Sequence, residues 1–125
     1  MKIERVSLGE GRYALEAVVV RTQDGVNVCL GGGEKTHIGT VVLCQPRPSL
    51  KGDGKTSTTS SVLNLIGHKD GELARAFAEK LCRALNQTVV VTAGIHIESA
   101  APQEIGYFLK AAEELGEKTI EVLLN

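Results

Sequence analysis

Val62-Leu63-Asn64-Leu65-Ile66-Gly67, then Leu73, Phe77, Leu81 and Leu85 at every fourth residue, then Thr88 to Ile95: this is the stretch whose reading decides the fold. The first run is short, apolar and stopped by glycine, as in a strand. The middle segment starts at Asp70, which can cap it. With Ala74 and Ala78 beside the leucines it forms the apolar stripe of an amphipathic helix ending near Asn86. Thr88 to Ile95 is again rich in β-branched residues. A strand, a helix and a strand in succession predict a crossover of the usual right-handed kind, which makes the two strands parallel and brings their ends to one edge of the sheet.

Outward from this unit, apolar β-formers cluster at Ile3 to Leu8, Tyr13 to Val20, Val26 to Leu30 and Ile38 to Leu43. Glu10-Gly11, Asp24-Gly25 and Gly31-Gly32-Gly33 separate them, and such short glycine-bearing links predict antiparallel hairpins arranged as a meander. Gln45 to Lys55 holds two prolines and two glycines and is expected to be the longest loop. Thr56 to Ser61 is a run of hydroxyls that forms the polar first half of the fifth strand. Pro102 opens a last helix with Ile105, Phe108, Leu109, Ala112 and Leu115 on one face, although Ala101 is a poor N-cap. The order β-β-β-β-β-α-β-α predicts an α+β fold of two layers, a largely antiparallel sheet of six strands covered by two helices. Residues 1–125 make a single domain.

A chain with 42% hydrophobic and 23% charged residues is not disordered, and 14 basic against 15 acidic side chains leave no global field for nucleic acid or anionic lipid. No segment approaches the roughly 18 apolar residues of a membrane span. The aromatics are Tyr13, Tyr107, Phe77 and Phe108, too few to stack bases, and the two phenylalanines belong to helix core faces. Cys29, Cys44 and Cys82 stand in apolar stretches without CxxC spacing and are expected to be buried thiols of a cytoplasmic protein.

His37, His68 and His96 each stand at a strand terminus. An antiparallel pairing of the fourth and fifth strands, with the parallel crossover to the sixth, would gather all three at one edge. The Gly31-Gly32-Gly33 turn leads into the same edge, so Gly32 and Gly33 would offer unobstructed backbone N–H groups to a ligand. Arg47, Ser49, Lys55, Thr56 and Ser57 combine cations and hydroxyls as a phosphate requires, although the P-loop order is absent. In a simple meander this cluster sits at the edge opposite the histidines. Three imidazoles would also suit a metal, but each stands alone instead of in an HxH or HExxH pair, and no metal ligand is assigned. No nucleophile and base stand at a catalytic spacing, so no catalytic residue is assigned either.

The segments His37-Ile38-Gly39-Thr40-Val41-Val42-Leu43, Gln45-Pro46-Arg47-Pro48-Ser49-Leu50, Gly67-His68-Lys69-Asp70 and Ala93-Gly94-Ile95-His96-Ile97 resemble the small LpdD-like proteins that accompany gallate-decarboxylase-type systems. The resemblance runs from His37 to about Glu104. It implies a chaperone for prenylated FMN, the cofactor made by a flavin prenyltransferase and used by UbiD-type decarboxylases. On this reading the chain is not an enzyme: it binds prenylated FMN or FMN and delivers it to an apo-decarboxylase. Two alternatives are a His-ligated metal-dependent enzyme and a structural accessory subunit of a decarboxylase. A homodimer is expected, because open sheet edges need covering.

Overall fold

The strand Thr88–His96 (β6) lies between Gly25–Gly33 (β3) and Lys35–Pro48 (β4), two strands joined in sequence by Glu34 alone. This is seen in a computed structural model that describes residues 1–65 and 70–125. The other elements are Lys2–Leu8 (β1), a single 3-10 turn at Gly11–Tyr13, Leu15–Arg21 (β2), Thr56–Asn64 (β5), Gly71–Leu85 (α1) and Pro102–Leu124 (α2). The sheet order is β1-β2-β3-β6-β4-β5. β3 and β6 are parallel and every other neighbouring pair is antiparallel, so the α+β sheet is mixed.

The expected meander is therefore corrected at one point: β3 and β4 do not zip into a hairpin. The reason lies in β6, whose Val89, Val91 and Ala93 are at most 1% exposed. A run this apolar is stable in the interior of a sheet and not at its edge. β4 is antiparallel to both β5 and β6, so these two run in the same direction, as the crossover requires.

Two other expectations give way. Gly31, Gly32 and Gly33 are strand residues of β3, paired with Gly94, Ile95 and His96. Gln45 to Pro48 belong to β4, paired with Thr59 to Thr56, and the loop begins only at Ser49. Ser49 donates its N–H to Lys55 O across the β5 side. Alternation then turns the nitrogens of Pro46 and Pro48 to the other side, which β6 leaves after its last pairing at Cys44. The missing N–H groups cost no ladder bond there.

Both helices pack on one face of the sheet, α1 over β4, β5 and β6 and α2 over β1 and β2. Leu73, Phe77 and Leu81 of α1, Phe108 and Leu115 of α2, and Leu15, Val19, Leu30 and Val42 of the sheet form the core between the layers. Cys44 and Cys82 are buried in it, and burial together with a hydrogen bond to Cys44 pushes the Cys82 thiol up to about 12. Cys29, expected to be buried, is exposed: with Val28 and Leu30 facing the helices, alternation points it to the uncovered face. Among the described residues no helix is long and apolar enough to cross a membrane.

Candidate functional site

The point where β3 and β4 part is filled by the end of β6. Gly33 and Lys35 both pair with His96, and Glu34 donates its N–H to His96 O at 2.8 Å. Just beyond, the β4–β6 register shifts between Thr36 and Thr40, so that residues 37–39 bulge out of the ladder. A bulge re-aims side chains. This one lays the His37 backbone over Gly94, where an added Cβ would collide with the His37 carbonyl and come within 2.9 Å of its ring carbon Cγ. Glycine at position 94 is what lets the chain cross there.

His37 and His96 thus come together from two strands, their ring centroids 6.3 Å apart and their planes at 84°. His37 Nε2 lies 3.4 Å from Asp70 Oδ2, and His96 Nε2 lies 3.0 Å from Glu98 Oε1. The His96 contact and its charge hold Glu98 below the usual carboxylate range. Asp70 occupies the N-cap position of α1 but makes no side-chain cap bond, so its carboxylate serves His37 and not the helix, contrary to the expected cap.

The two rings stand at a cavity of about 520 Å³ between the end of the sheet and the first turns of α1 and α2. Leu73, Ile95, Ile97, Ile105, Phe108 and Leu109 make its walls apolar. Among the described residues its polar lining is His37, His96, Asp70, Glu72 and Glu104. Glu104 secures the α2 end: its Oε1 accepts the Ala101 N–H at 3.0 Å, and its Oε2 accepts the Tyr13 hydroxyl at 2.8 Å and Arg12 Nη2 at 2.9 Å. The Ala101 bond is the main reason that the Glu104 carboxyl titrates below its ordinary value, and the hydrogen bond from Tyr13 to Glu104 raises the Tyr13 phenol above its own. Glu104, at the third helical position, supplies the reciprocal half of a capping box by accepting the Ala101 N–H, while Ala101 has no side-chain oxygen to supply the other half.

Of the predicted site residues, His37 and His96 meet here, and His68 lies outside the described residues. Gly32 and Gly33 adjoin the site but serve packing: a Cβ on Gly32 would strike Ala14 O, and the Gly33 N–H is engaged by Ala14 O. Arg47, Ser49, Lys55 and Thr56 line a separate cavity of about 500 Å³ with Gly54 and Asn86. Ser57 pairs with Arg47 in the ladder, and Arg47 Nε donates to Thr59 Oγ1 at 3.1 Å. Ten strand positions separate Arg47 from His37, about 30 Å at roughly 3.3 Å each, so the two groups are not brought into one site. Sequence reasoning missed Asp70, Glu104 and the apolar walls as parts of the site. The walls had a signal, since Leu73 and Phe108 belong to the helix faces read as apolar.

The family description prenylated flavin chaperone LpdD-like domain matches residues 9–124. No curated protein matches the chain. A solved structure described as a novel chaperone complex for yeast 20S proteasome assembly is 11% identical, covers 93% of this chain and 99% of its own, and superposes with a TM-score of 0.49.

Proposed function

Because the chain belongs to the prenylated flavin chaperone LpdD-like family, we propose that it holds prenylated FMN in the His37–His96 cavity, without transforming it, and passes it to a UbiD-type decarboxylase. The observation that carries the reading is a cavity with apolar walls whose polar lining, among the described residues, is two imidazoles and three carboxylates. A flat aromatic ring with an added prenyl group suits Leu73, Ile95, Ile97, Phe108 and Leu109, which exclude water. Imidazoles and carboxylates suit the hydrogen-bonding edge of a flavin. Among the described lining residues Asp70, Glu72 and Glu104 disfavour a phosphate inside the cavity, so the phosphate tail is expected to lie outside it. The cofactor's chemistry is exercised in the receiving enzyme, and this chain's residues bind, orient and shield.

Anaerobic titration with reduced prenylated FMN, and aerobic titration with FMN, read the binding through flavin absorbance and fluorescence. Loaded protein mixed with apo-decarboxylase is expected to restore decarboxylation faster than free cofactor does, with no turnover by the small protein alone. Saturable binding without faster restoration removes the delivery step, and absence of binding removes the reading.

A further inference from the structure

Three residues that line the His37–His96 cavity are themselves more than half exposed: Ile105 at 57%, Leu109 at 51% and the Glu72 side chain at 86%. They stand where the cavity meets solvent. Leu73 and Leu109 continue from it into a groove of about 350 Å³ between α1 and α2, lined also by Ala76 and Ala112. A lone exposed leucine is ordinary, but an apolar patch continuous with a cavity marks a contact site. Charge is unevenly placed about it. Among the described residues Glu34, Asp70, Glu72, Glu98 and Glu104 stand at the cavity end; Arg12 there is held by Glu104, Arg75 by Glu72, and Lys35 is the other cation. The Glu98 side chain is 81% exposed, and its backbone N–H is donated to Glu34 Oε1 at 3.0 Å. At the far end of β4 the sign reverses: Arg47, Lys51, Lys55 and, in the last turn of α1, Arg83 outnumber Asp53.

We propose, resting on the reading that the chain carries prenylated FMN, that Ile105, Leu109 and the carboxylates about them dock the receiving decarboxylase in its cofactor-free state. An enzyme that binds a flavin mononucleotide holds the phosphate with cations. Without the cofactor those cations are not neutralised, and the acidic end of this chain complements them. The apolar patch supplies the dry centre of the contact and the carboxylates its polar rim. The same cations repel the basic far end, so approach is oriented with the cavity foremost. Delivery then cancels the attraction, because the phosphate neutralises the cations that the carboxylates had met, and the emptied chain leaves. A donor enzyme still holding its cofactor lacks that attraction, so the surface selects the empty receiver.

The test is association of the flavin-free full chain with a UbiD-type decarboxylase by interferometry, the enzyme being either cofactor-free or reconstituted with prenylated FMN. The cofactor-free enzyme is expected to bind at least tenfold tighter, and to lose at least tenfold in affinity between about 50 mM and about 500 mM salt. Glu98→Lys and Ile105→Lys are each expected to weaken it at least tenfold with unchanged circular dichroism. Lys51→Glu combined with Lys55→Glu is expected to leave it within twofold. No association, equal affinity for the two forms of the enzyme, indifference to salt, or a larger loss from the far-end variant overturns the proposal, as does tighter binding to a flavin prenyltransferase. Flavin affinity is titrated separately. A chain that binds flavin without docking overturns this inference alone, and one that docks without binding flavin overturns the cavity reading alone.

Discussion

His37 Nε2 and Asp70 Oδ2 lie 3.4 Å apart, which ties the bulge of β4 to the residue in front of α1 across 33 positions of sequence. The contact gives Asp70 a task that an N-cap does not have. An ordinary cap lost to alanine costs about 1 kcal/mol of stability. Asp70→Ala is expected to cost less than about 0.5 kcal/mol in urea unfolding, because no cap bond is lost, while flavin affinity falls at least threefold as His37 loses its orienting partner. A full capping loss with unchanged affinity would show that the carboxylate serves the helix.

Gly94→Ala forces a methyl group against the His37 carbonyl. Overpacking of this kind costs about 1–3 kcal/mol, and here the strain falls on the bulge that aims His37. Chemical denaturation is expected to show that loss, and the cross-peaks of His37 and His96 in NMR spectra to shift together. Gly106→Ala inside α2, where an added Cβ meets nothing, is the control expected to raise stability by about 0.5–1 kcal/mol and to leave the cross-peaks unchanged.

Glu104 titrates below its ordinary value of 4.5 because the folded protein hydrogen-bonds its charged form. Its contribution is therefore complete above that value and is lost as pH falls through the lowered one. Tyr13, raised above 10.0, behaves in the opposite sense: its contribution is complete below that value and is lost as pH rises through the raised one. Amide exchange in the first turn of α2 should accelerate at both extremes. Glu104→Gln should remove the acid limb and bring the Tyr13 phenolate transition down toward its ordinary pH.

The two distant cavities make a clean comparison. His96→Ala is expected to weaken flavin binding about tenfold, or about 1.4 kcal/mol. Arg47→Ala, at the far end of β4, is expected to leave it within about twofold. The reverse order in a fluorescence titration would move the flavin to the cavity lined by Arg47, Lys55 and Thr56.

The element types were legible because their signals are local. The leucine spacing of α1 and the β-branched runs of the strands needed no tertiary information. The placement of β6 was not, since the glycines at 31–33 read as a turn when taken alone. Their role comes from β2 and β6 packing closely on either side, which only the assembled sheet supplies. Pro46 misled for a similar reason: proline breaks a ladder only where its nitrogen faces a neighbour, and that side of β4 is vacant beyond Cys44. Two histidines of the site followed from strand ends and crossover direction. Asp70 did not, because its fitness as a cap concealed its use as a partner for His37. Apolar neighbours do not bury Cys29, because Val28 and Leu30 face the helices and alternation turns Cys29 to the uncovered face.

The insertion of β6 between β3 and β4 also fixes an order of events on the ribosome. Until Thr88–His96 has been made, β1-β2-β3 and β4-β5 are two separate ladders, each with an unpaired inner edge. Those edges are templates for wrong pairing during the interval. The last strand to be synthesised joins two half-sheets and, in the same movement, carries His96 to His37, and the pocket is completed only when α2 follows with Ile105, Phe108 and Leu109.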